Sequence, residues 1–137
     1  MGESGVILLD THAALWLALE PERLSKKAAK RIREARASGE PLAISNVSLL
    51  EIAALVRKRR IEVDVDDLGS FLGALESKFE VVTMTAEVCA KAAKKLSGRY
   101  PKDAADRIIG ATALVEGIPL VTADATIRRS KALKTIW

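Results

Sequence analysis

Val6-Ile7-Leu8-Leu9 is a run of four apolar residues with no polar alternation, closed at once by Asp10. A strand with one wet face alternates in polarity, so this run needs cover on both faces, which points to a parallel sheet between helices. The same device recurs along the chain. Leu42-Ala43-Ile44, Glu80-Val81-Val82-Thr83 and Ile118 to Thr122 read as further short strands, and Lys134 to Trp137 as an edge strand. Helical periods fill the intervals. Leu24, Ala28, Ile32 and Ala35 form one stripe of a helix ended by Gly39 and Pro41, and a second helix spans about Val47 to Lys58. Leu68, Phe71, Leu72 and Leu75 mark a helix opened by Asp66-Asp67, and Val88, Ala92 and Leu96 face inward from the next. Ser97 to Lys102 is a loop, Asp103 to Glu116 a helix closed by Gly117, and Ala125 to Arg129 a short helix. Strands and helices in this alternation give the α/β class, with four to five parallel strands.

The 137 residues suit one domain, 1–137, whose core needs neither disulfides nor a structural metal, with Met1 to Ser4 as a disordered extension. One Cys and one His exclude an intrachain disulfide and the Cys/His zinc sites, and no Ser sits in a Gly-x-Ser-x-Gly elbow. Cys89 lies beside the Val88 stripe and is expected to be buried and inert. No positively charged leader and no bilayer-length apolar run is present, so the expectation is a cytoplasmic protein with no membrane partner. Lys and Arg outnumber Asp and Glu by 22 to 18, a net charge of +4, the sign expected of a protein that meets phosphate backbones. Aromatic residues are only 4%, which argues against base-stacking platforms.

Four acids stand where strands hand over to helices: Asp10, Glu51, Asp106 and Asp124. Each has a local explanation. Ser48-Leu49-Leu50-Glu51 fits a capping box, Asp106 lies where a helix dipole favours an acid, and Asp10 and Asp124 fit N-caps. In a parallel sheet, however, all four converge on one edge, at the carboxyl ends of the strands where ligands bind. Clustered carboxylates raise one another's pKa unless a cation sits among them. Oxygen donors without His or Cys select Mg²⁺ or Mn²⁺ and suit metal-assisted phosphoryl transfer. A haloacid-dehalogenase phosphatase needs a second Asp where His12 stands, and a receiver domain needs an acidic pair that Ile7-Leu8-Leu9-Asp10 lacks.

With these residues in place, the chain resembles PIN-domain ribonucleases of the VapC toxin type. The resemblance rests on Leu8-Leu9-Asp10-Thr11-His12, Ser45-Asn46-Val47-Ser48-Leu49-Leu50-Glu51-Ile52-Ala53, Asp103-Ala104-Ala105-Asp106-Arg107-Ile108-Ile109-Gly110-Ala111 and Leu120-Val121-Thr122-Ala123-Asp124, over Val6 to Trp137. It implies a three-layer α/β/α sandwich, Mg²⁺- or Mn²⁺-dependent RNA cleavage, a homodimer, and inhibition by a cognate VapB-like antitoxin. Asp10, Glu51, Asp106 and Asp124 would be the catalytic and metal-binding acids, with Asp10 and Asp106 touching the metal. Thr11, Ser45 and Thr122 match positions where the family places hydroxyls that bond these carboxylates or water. Asp103 is an N-cap or a further ligand. Many relatives have Pro, an aromatic residue and Ala where this chain has Ala104, Leu50 and Gly110. A catalytically silent RNA-binding module and a housekeeping RNA-processing nuclease are the competing readings.

Lys94, Lys95, Arg99 and Lys102 precede the third motif and could track an RNA backbone, a solvated helix face being the alternative. Arg57-Lys58-Arg59-Arg60 complements a helix dipole. Trp16 is expected in the core, with a groove for a protein partner as the alternative. His12 either touches substrate or is oriented by its neighbours.

Overall fold

The computed structural model describes residues 5–63, 65–96 and 98–137. The expected extension, Met1 to Ser4, and the first residue of the expected loop, Ser97, lie outside the described residues. In chain order the elements are β1 (Ile7–Leu9), α1 (Thr11–Leu19), α2 (Lys26–Ala37), β2 (Leu42–Ser45), α3 (Asn46–Arg57), α4 (Leu68–Lys78), β3 (Glu80–Val82), α5 (Ala86–Lys94), α6 (Ala104–Glu116), β4 (Leu120–Val121), α7 (Ala125–Ser130) and β5 (Thr135–Ile136). Short 3₁₀ turns occupy Pro21–Arg23 and Val65–Asp67. The strands form one parallel sheet in the order β3-β2-β1-β4-β5.

Successive side chains of a strand point to opposite faces, and the two cores follow that rule. Ile7 and Leu9 of β1, Leu42 and Ile44 of β2 and Val121 of β4 pack with residues of α1 to α4 on one face. Leu8, Ala43 and Leu120 pack with Leu96, Tyr100, Ile109, Ala113 and Ile127 on the other. The fold is therefore a three-layer α/β/α sandwich. Full burial of β1, β2 and β4 explains why their sequences do not alternate, while the edge strands β3 and β5 keep partly exposed positions.

Several local expectations change. The apolar stretch from Ala13 to Leu19 is helix α1, which has no polar stripe to announce it. Helix α3 starts at Asn46 with Ser45 as its cap, so Ser48 and Glu51 do not form a capping box. Asp66 and Asp67 lie in a 3₁₀ turn, and no side-chain bond from Asp67 caps α4. Cys89 is exposed rather than buried, because one helical step beyond buried Val88 turns the side chain about 100° away. Among the described residues no helix is long and apolar enough to cross a membrane.

The strand order positions the site. The chain runs outward from β1 through β2 to β3, then returns to set β4 on the other side of β1. That reversal opens a crevice at the carboxyl ends of β1 and β4, the place where sheets of this type bind ligands. Asp10 follows β1 directly, and Asp124 lies three residues beyond β4.

Candidate active site

Three acids reach the crevice as helix caps. Asp10 caps α1, its Oδ1 accepting the Ala13 N–H at 2.9 Å. Asp103 caps α6 by accepting the Asp106 N–H at 3.1 Å, and Asp124 caps α7 by accepting the Ile127 N–H at 3.0 Å. Capping and convergence are thus one arrangement: a cap fixes the backbone so that the carboxylate stands at the sheet edge. Asp106 comes from the first turn of α6 and Glu51 from the second turn of α3. A cavity of about 400 Å³ is lined by Asp10, Glu51, Asp103, Asp106 and Asp124 together with Thr11, His12, Trp16 and Ala123, and by no Lys or Arg.

Hydroxyl groups hold these acids. Thr11 is buried, and its hydroxyl donates to Glu51 Oε1. A hydroxyl has one proton, so the 3.0 Å bond between Ser48 Oγ and Thr11 Oγ1 has Ser48 as donor, giving a relay from Ser48 through Thr11 to Glu51. Thr122, fully buried, accepts the Asp124 N–H at 3.1 Å and hydrogen-bonds the Asp10 carboxylate. Ser45 is also fully buried but accepts the Val47 N–H at 3.2 Å; it supports the start of α3 and does not line the cavity.

The electrostatics are those of a site with surplus negative charge. Burial raises the Asp10 pKa against the bonds from Thr122 and the Ala13 N–H. Burial likewise raises Glu51, opposed by Thr11 and reinforced by Asp103. Asp106 is pushed up to about 7, first by burial and then by the charges of Asp103, Glu51, Asp124 and Asp10. The donor set fits a hard divalent cation, whose charge would relieve this repulsion. Among the described residues no three His, Cys or acidic groups are close enough to grip one ion together.

Residues 7–133 match the model of the PIN domain. The chain belongs to the PIN-domain family. A relative, Ribonuclease VapC22 of Mycobacterium tuberculosis (strain ATCC 25618 / H37Rv), is 37% identical over 133 residues, 96% of this chain and 98% of its own. Solved structures of similar fold include VapBC2 from Rickettsia felis bound to a promoter DNA fragment, with a TM-score of 0.71 at 19% identity, covering 95% of this chain and 96% of that one. VapBC-1 from nontypeable Haemophilus influenzae has a TM-score of 0.72 at 17% identity over the same shares.

This PIN domain contains supporting residues that sequence reasoning did not single out. Tyr100, 1% exposed, donates its hydroxyl to the Asp106 carbonyl at 3.0 Å, beneath the turn that carries the acid. Its neighbour Gly110 is glycine for a steric reason: a Cβ there would lie 2.2 Å from the Tyr100 hydroxyl oxygen and 2.7 Å from Cζ. Arg107 donates to the carbonyls of Ala92 (3.2 and 3.0 Å), Leu96 (2.8 Å) and Pro101 (3.3 Å), tying the end of α5 to α6. Leu50 is 71% exposed, so no packing constraint within the chain fixes its size.

Trp16 is not in the core. It stands between the acidic cavity and a neighbouring groove of about 530 Å³ that also touches His12, Leu15, Arg23, Leu55, Arg60 and Ile61. The Arg23 guanidinium lies 4.7 Å from the centre of its ring. The groove is larger, but its two acids, Glu20 and Glu62, stand beside Arg23 and Arg60, so the surplus negative charge lies in the acidic cavity. Exposed His12 lines both. Lys94, Lys95 and Lys102 are exposed and line neither, and Arg99 lines a separate cavity.

Proposed function

We propose that this PIN domain is a Mg²⁺- or Mn²⁺-dependent endoribonuclease, the toxin of a toxin-antitoxin pair, which inhibits translation by cutting RNA. One observation carries the reading: five carboxyls, and no Lys or Arg, line one cavity at the point where the strand order reverses. A fold gains nothing from gathering like charges, three of them with raised pKa values, unless a cation and a substrate use them. The identity to Ribonuclease VapC22 supports the reaction, and the likeness to VapBC complexes supports an antitoxin partner resembling VapB.

In this mechanism Asp10 and Asp106 would hold the metal, and Glu51, Asp124 and Asp103 complete the negative wall. A divalent ion, when bound there, would supply water of lowered pKa and offset the charge of the phosphodiester. The Ser48–Thr11–Glu51 relay fixes the Glu51 carboxylate toward the cavity, where it can take a proton from an attacking water. Thr122 and the Ala13 N–H hold Asp10 in one rotamer. Products carry 5′-phosphate and 3′-hydroxyl ends. The whole chain, 1–137, works as one domain in the cytoplasm, as a homodimer. The test is end-labelled RNA with antitoxin-free protein in Mg²⁺, Mn²⁺ or EDTA: cutting that needs the metal supports the reading, and intact RNA under every condition leaves a silent module in its place.

A further inference from the structure

Outside the acidic cavity, the described cavity with the most uniform charge lies against α7. It measures about 330 Å³ and is lined by Arg99, Thr126, Arg129 and Ser130, with no acid among them. Its parts come from the same two segments that supply the catalytic acids. Arg99 precedes α6, which carries Asp106 and is capped by Asp103, while Thr126 and Arg129 belong to α7, which Asp124 caps. At about 1.5 Å per helical residue, Arg129 stands about 7–8 Å along the axis from Asp124.

The donors can be assigned. Arg129 uses its Nε to donate to the Ala125 carbonyl at 3.2 Å, the one hydrogen bond described for a guanidinium with five N–H groups. Arg99, Thr126 and Arg129 are exposed. Ser130 gives its proton to the Ile127 carbonyl at 2.6 Å and accepts from the Ala132 N–H at 3.3 Å, so it shapes the cavity and does not donate into it. Two guanidinium forks and a hydroxyl, without an aromatic ring, suit a phosphate and offer a base nothing to stack on.

We infer that Arg99, Arg129 and Thr126 form a seat for a backbone phosphate of the RNA strand cleaved in the acidic cavity. The inference rests on the ribonuclease reading and adds the path of the strand: along α7, from Asp124, which caps it, to Arg129 near its end. It also narrows the basic residues marked in the sequence, since Arg99 belongs to the seat and Lys94, Lys95 and Lys102 do not line it.

The test compares Arg99→Ala/Arg129→Ala with Arg33→Ala/Arg36→Ala, which removes the same charge from exposed positions of α2 in the opposite layer. Binding of a fluorescent single-stranded RNA 12-mer is followed by anisotropy in EDTA over a KCl series. Each phosphate contact on a single strand contributes about 0.7 to the slope of log Kd against log salt. The Arg99/Arg129 variant is expected to lose about 0.7 of that slope and to bind about tenfold more weakly, while the α2 variant stays near wild type. In Mg²⁺ it should show a raised KM with kcat little changed. An equal loss in both variants, or none in either, overturns the seat. So does a loss confined to duplex DNA of the same length, which would make the patch a DNA contact. If wild type cuts no RNA in any metal, the ribonuclease reading fails, and the salt slope in EDTA still decides whether the seat binds phosphate.

Discussion

Replacing Gly110 by Ala should destabilise this protein, although helix propensity alone says the reverse. In an ordinary helix interior, Ala is favoured over Gly by about 1 kcal/mol. Here the new methyl would stand 2.2 Å from the Tyr100 hydroxyl oxygen, 2.7 Å from Cζ and 3.2 Å from Leu133 Cδ2. Tyr100 is 1% exposed and cannot simply swing into solvent. Overpacking of this kind costs about 1–3 kcal/mol, and displacing the ring from the Asp106 carbonyl leaves a buried hydroxyl unpaired for about 1–2 kcal/mol more. After the propensity gain, the net loss is about 1–4 kcal/mol. At roughly 4 °C of Tm per kcal/mol for a domain of this size, the variant should melt about 4–16 °C lower. Thermal and urea denaturation measure it, first in the native background and then in Tyr100→Leu, which removes the overlapping atoms. In that second background Gly110→Ala should be neutral or stabilising by up to about 1 kcal/mol. A raised Tm in the native background, or the same loss in both, would refute the steric argument.

Arg107→Ala should cost about 2–4 kcal/mol, since it removes charge-assisted bonds to three carbonyls, and Arg107→Lys should recover only part of that in urea melts. A loss below 1 kcal/mol would mean those carbonyls find water instead. Stability of the metal-free protein should fall as pH rises. Asp106 ionises at about 7 in the fold against 3.8 ordinarily, so the native state holds the extra proton between those values, and Asp10 and Glu51 shift the same way. Discounted for the partial exposure of Asp106, the loss between pH 4 and 7 is about 1–2 kcal/mol, and Mn²⁺ should restore more stability at pH 8 than at pH 5. A Tm in EDTA that climbs through this window contradicts the repulsion argument. Exposed Cys89 should react with a thiol reagent at a rate close to that of a small thiol, without unfolding. Reaction only in urea would return it to the interior.

What the sequence made legible follows from locality. Val6 to Leu9 and Leu42 to Ile44 announce their strands because burial on both faces removes alternation; Asp10 announces itself because it follows β1 at once, and Asp124 because it lies three residues beyond β4. Helix α1 was hidden for a related reason: the sheet covers Ala13 and Ala14 while Trp16 walls a groove, so apolar residues surround it and no stripe forms. The capping box misled because Ser45 and Ser48 stand three residues apart, and either could open a helix; only the register of α3 shows that Ser45 does so and that Ser48 bonds Thr11. Tyr100, Arg107 and Arg129 left no local trace. Their roles depend on which elements lie opposite them, and neither periodicity nor caps encode that.

The central claim is that the acidic cavity is where the metal and the scissile phosphate meet. The most direct measurement is the metal-dependent cleavage rate of end-labelled RNA by wild type, Asp10→Asn and Asp106→Asn, each shown by circular dichroism and melting to be folded. Asparagine keeps the shape and, at Asp10, an oxygen for the Ala13 N–H, while removing the charge. Loss of at least a hundredfold in both folded variants, with EDTA abolishing the wild-type rate, is the expected result. Wild-type cleavage by either variant, or cleavage that survives EDTA, would contradict it.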